Sequence, residues 1–124
     1  MKYIVANWKA NKNLEQVNQW LETFSKNYRQ KENVTVIIAP PFPFLQEVVS
    51  FSKETKNIYV AAQNLAQFDE GSYTGEVSAK SLEGLVDYVI LGHSERRKYF
   101  NETDETISQK VELAHKDQIK TILC

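Results

Sequence analysis

The recurrence of short, continuous apolar runs is the feature of this sequence that most restricts its fold. Residues 3–6, 34–39, 58–62, 88–91 and 121–123 are rich in β-branched side chains and do not alternate with polar ones. Runs of that kind read as strands covered on both faces, the habit of parallel sheets. Their starts lie 31, 24, 30 and 33 residues apart, about the length of one strand and its crossover helix. The order β-α-β-α-β-α-β-α-β with a parallel sheet is therefore predicted.

The intervening segments carry the matching helical period. Leu14, Val17, Leu21, Phe24 and Tyr28 follow one helix face, with Asn13 placed as an N-cap. Phe44, Leu45, Val48 and Val49 repeat the pattern behind Pro43, a residue suited to a first turn. Ala79, Leu82, Leu85 and Val86 form a shorter version after Ser78. Ile107, Val111 and Ala114 form the last, behind a Thr103 cap with Asp104 and Glu105 in the dipole-favoured first turn. No glycine- or proline-rich linker interrupts the series, so 1–124 is read as a single unit with no separate second domain. One stretch lacks any period, "QNLAQFDEGSYTGEV" at 63–77. Its length, two glycines and mixed aromatics predict a shaped, functional loop.

Two architectures fit this order. One is an open, flavodoxin-like five-stranded sheet; the other is part of an eight-unit barrel, which needs about 250 residues. The open sheet expects a helix after its fifth strand. Ending at "KTILC" leaves that strand without a cover, which favours a piece of something larger.

Composition removes several classes of function. Fifteen basic residues are scattered among sixteen acidic ones, for a net charge of −1, so neither nucleic acid nor an anionic membrane is an expected partner. A single cysteine, Cys124, leaves no internal disulfide and suits a reducing compartment. The first apolar run is too short for a signal segment and no later one could span a bilayer. A soluble cytoplasmic protein is expected.

Ligands of parallel α/β folds bind at the carboxyl ends of the strands. Those ends read Asn7-Trp8-Lys9, Pro40-Pro41, Gln63-Asn64, His93-Ser94-Glu95 and Cys124. They offer no carboxylate pair for Mg²⁺ and no histidine pair at metal-ligand spacing, so no metal is expected. No dinucleotide or P-loop motif is present. Lys9 alone reads as an ordinary surface lysine, but its place two residues after Asn7 at a strand end suits an anionic ligand. His93 alone reads as a satisfied structural histidine. The short helix that Ser94-Glu95-Arg96-Arg97 would begin disfavours an imidazolium beside its N-terminus, leaving a neutral ring able to donate a hydrogen bond. Glu95 reads either as a first-turn acid or as a partner for Lys9, and His115 as a surface residue near a helix C-terminus.

Taken together, these residues resemble the triosephosphate isomerase family. "ANWKANK" is similar to its first-strand motif, "APPFPFL" to its second, "AAQNLAQFDEGSYTGEVSAKSL" to its third loop and "YVILGHSERRKYFNETDE" to its fourth unit, while "ILC" resembles the start of its fifth strand. The resemblance runs the length of the chain in the right order. It departs at Ala6 and Ala10, where many members carry glycine and methionine, and in length, since members are about twice as long, as such barrels require roughly 250 residues.

The resemblance implies (β/α)4 plus a fifth parallel strand, the N-terminal half of a TIM (β/α)8 barrel. It implies that Asn7 and Lys9 bind a triose phosphate, that Lys9 stabilises an enediolate oxygen, and that His93 is the neutral electrophile. Glu95 would be an acid behind the site that holds Lys9 in order. Thr74 of the long loop would approach Asn7 and Lys9 of a neighbouring subunit, and Glu76 that subunit's Arg96, making a homo-oligomer. No cofactor is implied. The general-base glutamate, the lid and the later phosphate loops of the family fall outside this sequence. The chain is thus expected to be half of a split or truncated isomerase, inactive alone and active with a complementary C-terminal half-barrel. The alternative is a catalytically inactive half-barrel that self-associates as an interaction or folding module.

Overall fold

The computed structural model describes all residues from Met1 to Cys124, which divide into two compact units, Met1–Ala61 and Ala62–Cys124. The first contains strand β1 (Lys2–Asn7), helix α1 (Leu14–Asn27), strand β2 (Val34–Ala39), a 3₁₀ turn (Phe42–Phe44), helix α2 (Leu45–Glu54) and all but the last residue of strand β3 (Ile58–Ala62). β1 runs parallel to β2 with Lys2 opposite Val34 and Asn7 opposite Ala39. β3 runs parallel to the other side of β2, with Ile58 opposite Val36. This neighbour relation decides between the two architectures. A flavodoxin-like sheet places its first strand between the second and third; here β2 is in the middle, as in the sequential order of a barrel.

The central position of β2 shows in its burial, with Ile37, Ile38 and Ala39 at most 1% exposed. β1 instead leaves Tyr3, Ile4 and Val5 exposed. α1 begins with a capping box: the Gln16 amide donates to Asn13 Oδ1 at 3.0 Å, and the Asn13 amide donates to Gln16 Oε1 at 2.9 Å. Its buried face is Val17 and Leu21. Leu14, expected on that face, is half exposed because it is the first helical residue. Along the flank of α1 runs a ladder of rings, Trp8 to Trp20 at 4.9 Å, Trp20 to Phe24 at 4.8 Å and Phe24 to Tyr28 at 5.0 Å. Phe51 of α2 meets Phe24 edge-on. Each such pair contributes about 0.5–1.5 kcal/mol beyond its buried area, which fixes α1 against α2 and Trp8 against α1.

The second unit contains the 63–77 loop, a one-turn helix α3 (Ala79–Leu82), strand β4 (Tyr88–Leu91), the short helix α4 (Ser94–Tyr99), helix α5 (Asp104–Lys116) and strand β5 (Lys120–Leu123). β4 and β5 are parallel, from Tyr88 opposite Lys120 to Leu91 opposite Leu123. α3 stops before Leu85 and Val86, whose amides fold back onto the Leu82 carbonyl around a left-handed Gly84. α5 opens on the expected Thr103 cap, completed by Thr106 as a capping box. Its inward residues are Ile107, Lys110 and Ala114; Val111 is only half-buried and a lysine takes the place expected of it. The elements and their order are those of (β/α)4 plus a fifth strand, the N-terminal half of a TIM barrel. No helix is long and apolar enough to cross a membrane.

Candidate functional site

The end of β1 is a turn built around Lys9. The Trp8 amide donates to the Ala39 carbonyl at 3.0 Å, continuing the β1–β2 ladder one residue past the strand. Trp8 is buried with its ring edge-on to Trp20. The Trp8 carbonyl accepts from Asn11 Nδ2 at 2.9 Å. Lys9 then takes φ 57°, a left-handed conformation that side chains with a Cβ adopt rarely and at a cost. Asn7 compensates: its Oδ1 accepts the Lys9 N–H at 3.0 Å. Asn7 and Lys9, the two substrate-binding residues expected from the sequence, are thus joined in one hydrogen-bonded turn. Asn7 acts at least partly by shaping the backbone that carries the lysine.

The end of β4 solves the same problem differently. Gly92 takes the left-handed conformation, φ 72°, so His93 can remain in an ordinary extended one at φ −52° and ψ 140°. A Cβ on Gly92 would lie 3.1 Å from Ile107 Cδ1 and 3.2 Å from the Cys124 carbonyl oxygen. His93 is the N-cap of α4, and its Nδ1 accepts the Glu95 N–H at 3.2 Å. A nitrogen that accepts carries no proton, so in a neutral ring the proton sits on Nε2, which is the donor. Glu95 Oε2 lies 3.6 Å from the same Nδ1. His93 and Glu95 are therefore brought together, through the Glu95 backbone more closely than through its carboxylate.

The 63–77 loop has a defined shape. The Ala66 amide donates to the Val77 carbonyl at 2.8 Å and closes its base, while the Glu76 amide donates to the Tyr73 carbonyl at 2.9 Å across Thr74 and Gly75. Phe68 and Tyr73 stack at 4.4 Å with both rings substantially exposed. Lys116 of α5 holds the loop through Asp69. Thr74 and Glu76 lie at its exposed tip and on its returning limb.

Arg96 lies on α4 with its Nε bonded to Glu102 and its guanidinium 4.8 Å over the Phe100 ring. Glu102 also accepts from Lys110 Nζ at 3.0 Å, and Lys110 donates to Asn64 Oδ1 at 2.8 Å. The Lys110 and Glu102 side chains are each only 6% exposed. Burial opposes the charge on Glu102, but the hydrogen bonds from Lys110 and Arg96 outweigh it and hold the carboxyl below its ordinary range. For Lys110 burial wins, and its ammonium is depressed despite Glu102. Glu102 Oε1 is buried without a hydrogen-bond partner. Sequence reasoning missed this network. Its one local signal is a lysine on the apolar face of α5, a position that demands a buried partner.

Residues 2–124 match the family model described as triosephosphate isomerase. A triosephosphate isomerase of Alkaliphilus oremlandii (strain OhILAs) is 45% identical over 126 residues, covering 98% of this chain and 48% of that protein. One of Flavobacterium psychrophilum is 44% identical over 124 residues, covering 99% and 49%. One of Mesomycoplasma hyorhinis is 41% identical over 125 residues, covering 98% and 51%. The chain spans about half the length of the curated relatives it matches.

Proposed function

The chain belongs to the triosephosphate isomerase family, and from that premise we propose that it supplies the electrophilic half of a barrel that interconverts dihydroxyacetone phosphate and glyceraldehyde 3-phosphate. In this reading a carboxylate base removes the proton from the carbon beside the carbonyl. The electron pair moves onto the carbonyl oxygen and forms an enediolate. His93 donates from Nε2 to that oxygen and moves the proton between the two oxygens. The Lys9 ammonium offsets the negative charge, Asn7 holds the turn that carries it, and Glu95 keeps that charged group in order. Reprotonation of the neighbouring carbon completes the isomerisation. The substrate's overall oxidation state is unchanged, so the scheme requires no redox cofactor.

The observation that carries this reading is the hydrogen bond from the Glu95 amide to His93 Nδ1. It selects the tautomer that such an electrophile needs. The base belongs to barrel units beyond residue 124, on the same polypeptide or on a complementary one. General-base catalysis contributes about 10²–10⁴-fold, so residues 1–124 by themselves should be inactive. The test is to combine 1–124 with a polypeptide supplying the later units and assay isomerisation. Turnover above the sum of the separate parts supports the proposal; association without turnover refutes it.

Oligomerisation follows the same reading. The 63–77 loop would bring Thr74 to Asn7 and Lys9 of a second subunit and Glu76 to that subunit's Arg96. The protein would work in the cytoplasm. A second reading, self-association without activity, is favoured by the apolar edge strand β1, where Tyr3 and Ile4 are 57% and 55% exposed. Unpaired apolar edges invite strand addition. Sedimentation and assay of 1–124 with and without the later units separate the two readings: a homo-oligomer of 1–124 that excludes those units and shows no turnover supports the second.

A further inference from the structure

Arg97 makes contacts that the proposed chemistry does not use. Its Nε donates to the Gly92 carbonyl at 3.1 Å, and its own backbone N–H donates to the His93 carbonyl at 3.2 Å. These are the carbonyls of the two peptide groups that flank His93. Its Nη1 is bonded to Asp104 Oδ1 at 2.7 Å, in the first turn of α5. The Asp104 side chain is 93% exposed, whereas that of Arg97 is 39% exposed. One residue therefore ties the end of β4, the start of α4 and the start of α5 together around a single imidazole.

We infer that Arg97 is a positioning residue for His93, holding both adjoining peptide groups so that Nδ1 stays on the Glu95 amide and Nε2 keeps the proton. The inference rests on the reading of His93 as the electrophile. Gly92 leaves little slack on the other side, because the space beside it, where a Cβ would point, is closed by Ile107 and the Cys124 carbonyl. Against that wall, the guanidinium fixes the plane of the peptide entering His93. The α4 amides fix the plane leaving it, with the Arg96 N–H also donating to the His93 carbonyl at 2.8 Å. A planar guanidinium can serve the Gly92 carbonyl and Asp104 at once through separate N–H groups in a rigid fork. A lysine ammonium on a flexible stem serves them less well.

The readout is the His93 imidazole nitrogens, followed by ¹⁵N NMR at neutral pH in 1–124, so no substrate or turnover is involved. Failure of this inference is therefore distinct from failure of the proposed activity. In the unaltered protein Nδ1 should give the resonance of an acceptor nitrogen and Nε2 that of a protonated one. Arg97→Met, which keeps the stem and removes the donors, should change the tautomer ratio several-fold towards that of a free side chain. Arg97→Lys should fall between. Asp104→Ala, at an exposed side chain, should move the ratio in the same direction by less, and it decides the matter should Arg97→Met fail to fold. Unchanged His93 nitrogen shifts in folded Arg97→Met, or in Asp104→Ala where that is the only folded variant, overturn the inference.

Discussion

The two strand ends that carry Lys9 and His93 meet one geometric demand in opposite ways. Each chain segment leaves its strand through a left-handed residue. After β1 that residue is Lys9 itself, at φ 57°, with Asn7 accepting its amide; after β4 it is Gly92, at φ 72°, and the candidate residue His93 follows in a relaxed conformation. In the first case the left-handed backbone falls on the candidate residue itself. In the second a glycine takes the conformation, a helix cap orients the ring, and Arg97 braces both. The contrast teaches that a lysine, a flexible point charge, can be aimed from a strained backbone. An imidazole whose Nδ1 must stay on a backbone amide needs a fixed frame.

The largest effect should come from the frame's deeper support. Glu102→Ala leaves Lys110 buried with Asn64 as its remaining hydrogen-bond partner, and removal of one member of a buried pair costs about 3–5 kcal/mol. Urea denaturation would measure it. The same carboxylate sets an acid limit. Its folded-state pKa lies below the ordinary 4.5, so its stabilisation is present above that value and is lost as pH falls through the lower folded-state one. Glu102→Gln should flatten the decline in stability below pH 4.5, and an unchanged acid profile would remove Glu102 from this role.

Substitutions at the two left-handed residues should differ in sign. Gly92→Ala adds a methyl against Ile107 and the Cys124 carbonyl in a left-handed conformation, a loss of about 2–4 kcal/mol from strain and crowding. Lys9→Gly relieves the left-handed penalty, offset by the greater freedom of glycine when unfolded, for a net gain of up to about 1 kcal/mol. Denaturation midpoints of the two variants would show it. If Lys9→Gly proves as destabilising as Gly92→Ala, the two turns are not different devices.

Much of this could be read in the sequence. All five strands lie within one residue of the boundaries that the apolar runs suggest, and the Asn13 and Thr103 caps are in place. Those features are local, and composition records them. The second helix of the first unit shows where local reading stops, since the FPF segment forms a 3₁₀ turn before α2 begins. Residues 85–86 similarly keep the apolar pattern but leave the helix, because Gly84 turns the chain back after Leu82. Lys110 is the plainer failure. Its partners stand eight and forty-six residues away, and no periodicity encodes a buried ion pair. Asn7, Lys9, His93 and Glu95 were visible as strand-end residues. The conformation of Lys9 and the acceptor role of His93 Nδ1 depend on backbone geometry that the sequence does not state.

The proposed activity stands or falls with His93 as the proton-donating electrophile of a triose phosphate isomerisation. The most direct measurement is turnover of the completed barrel, residues 1–124 together with the later units, carrying His93→Gln. A loss of about 10²–10⁴-fold in kcat is expected, with 1–124 retaining its fold and its association with those units. Turnover equal to that of the unaltered barrel would contradict it.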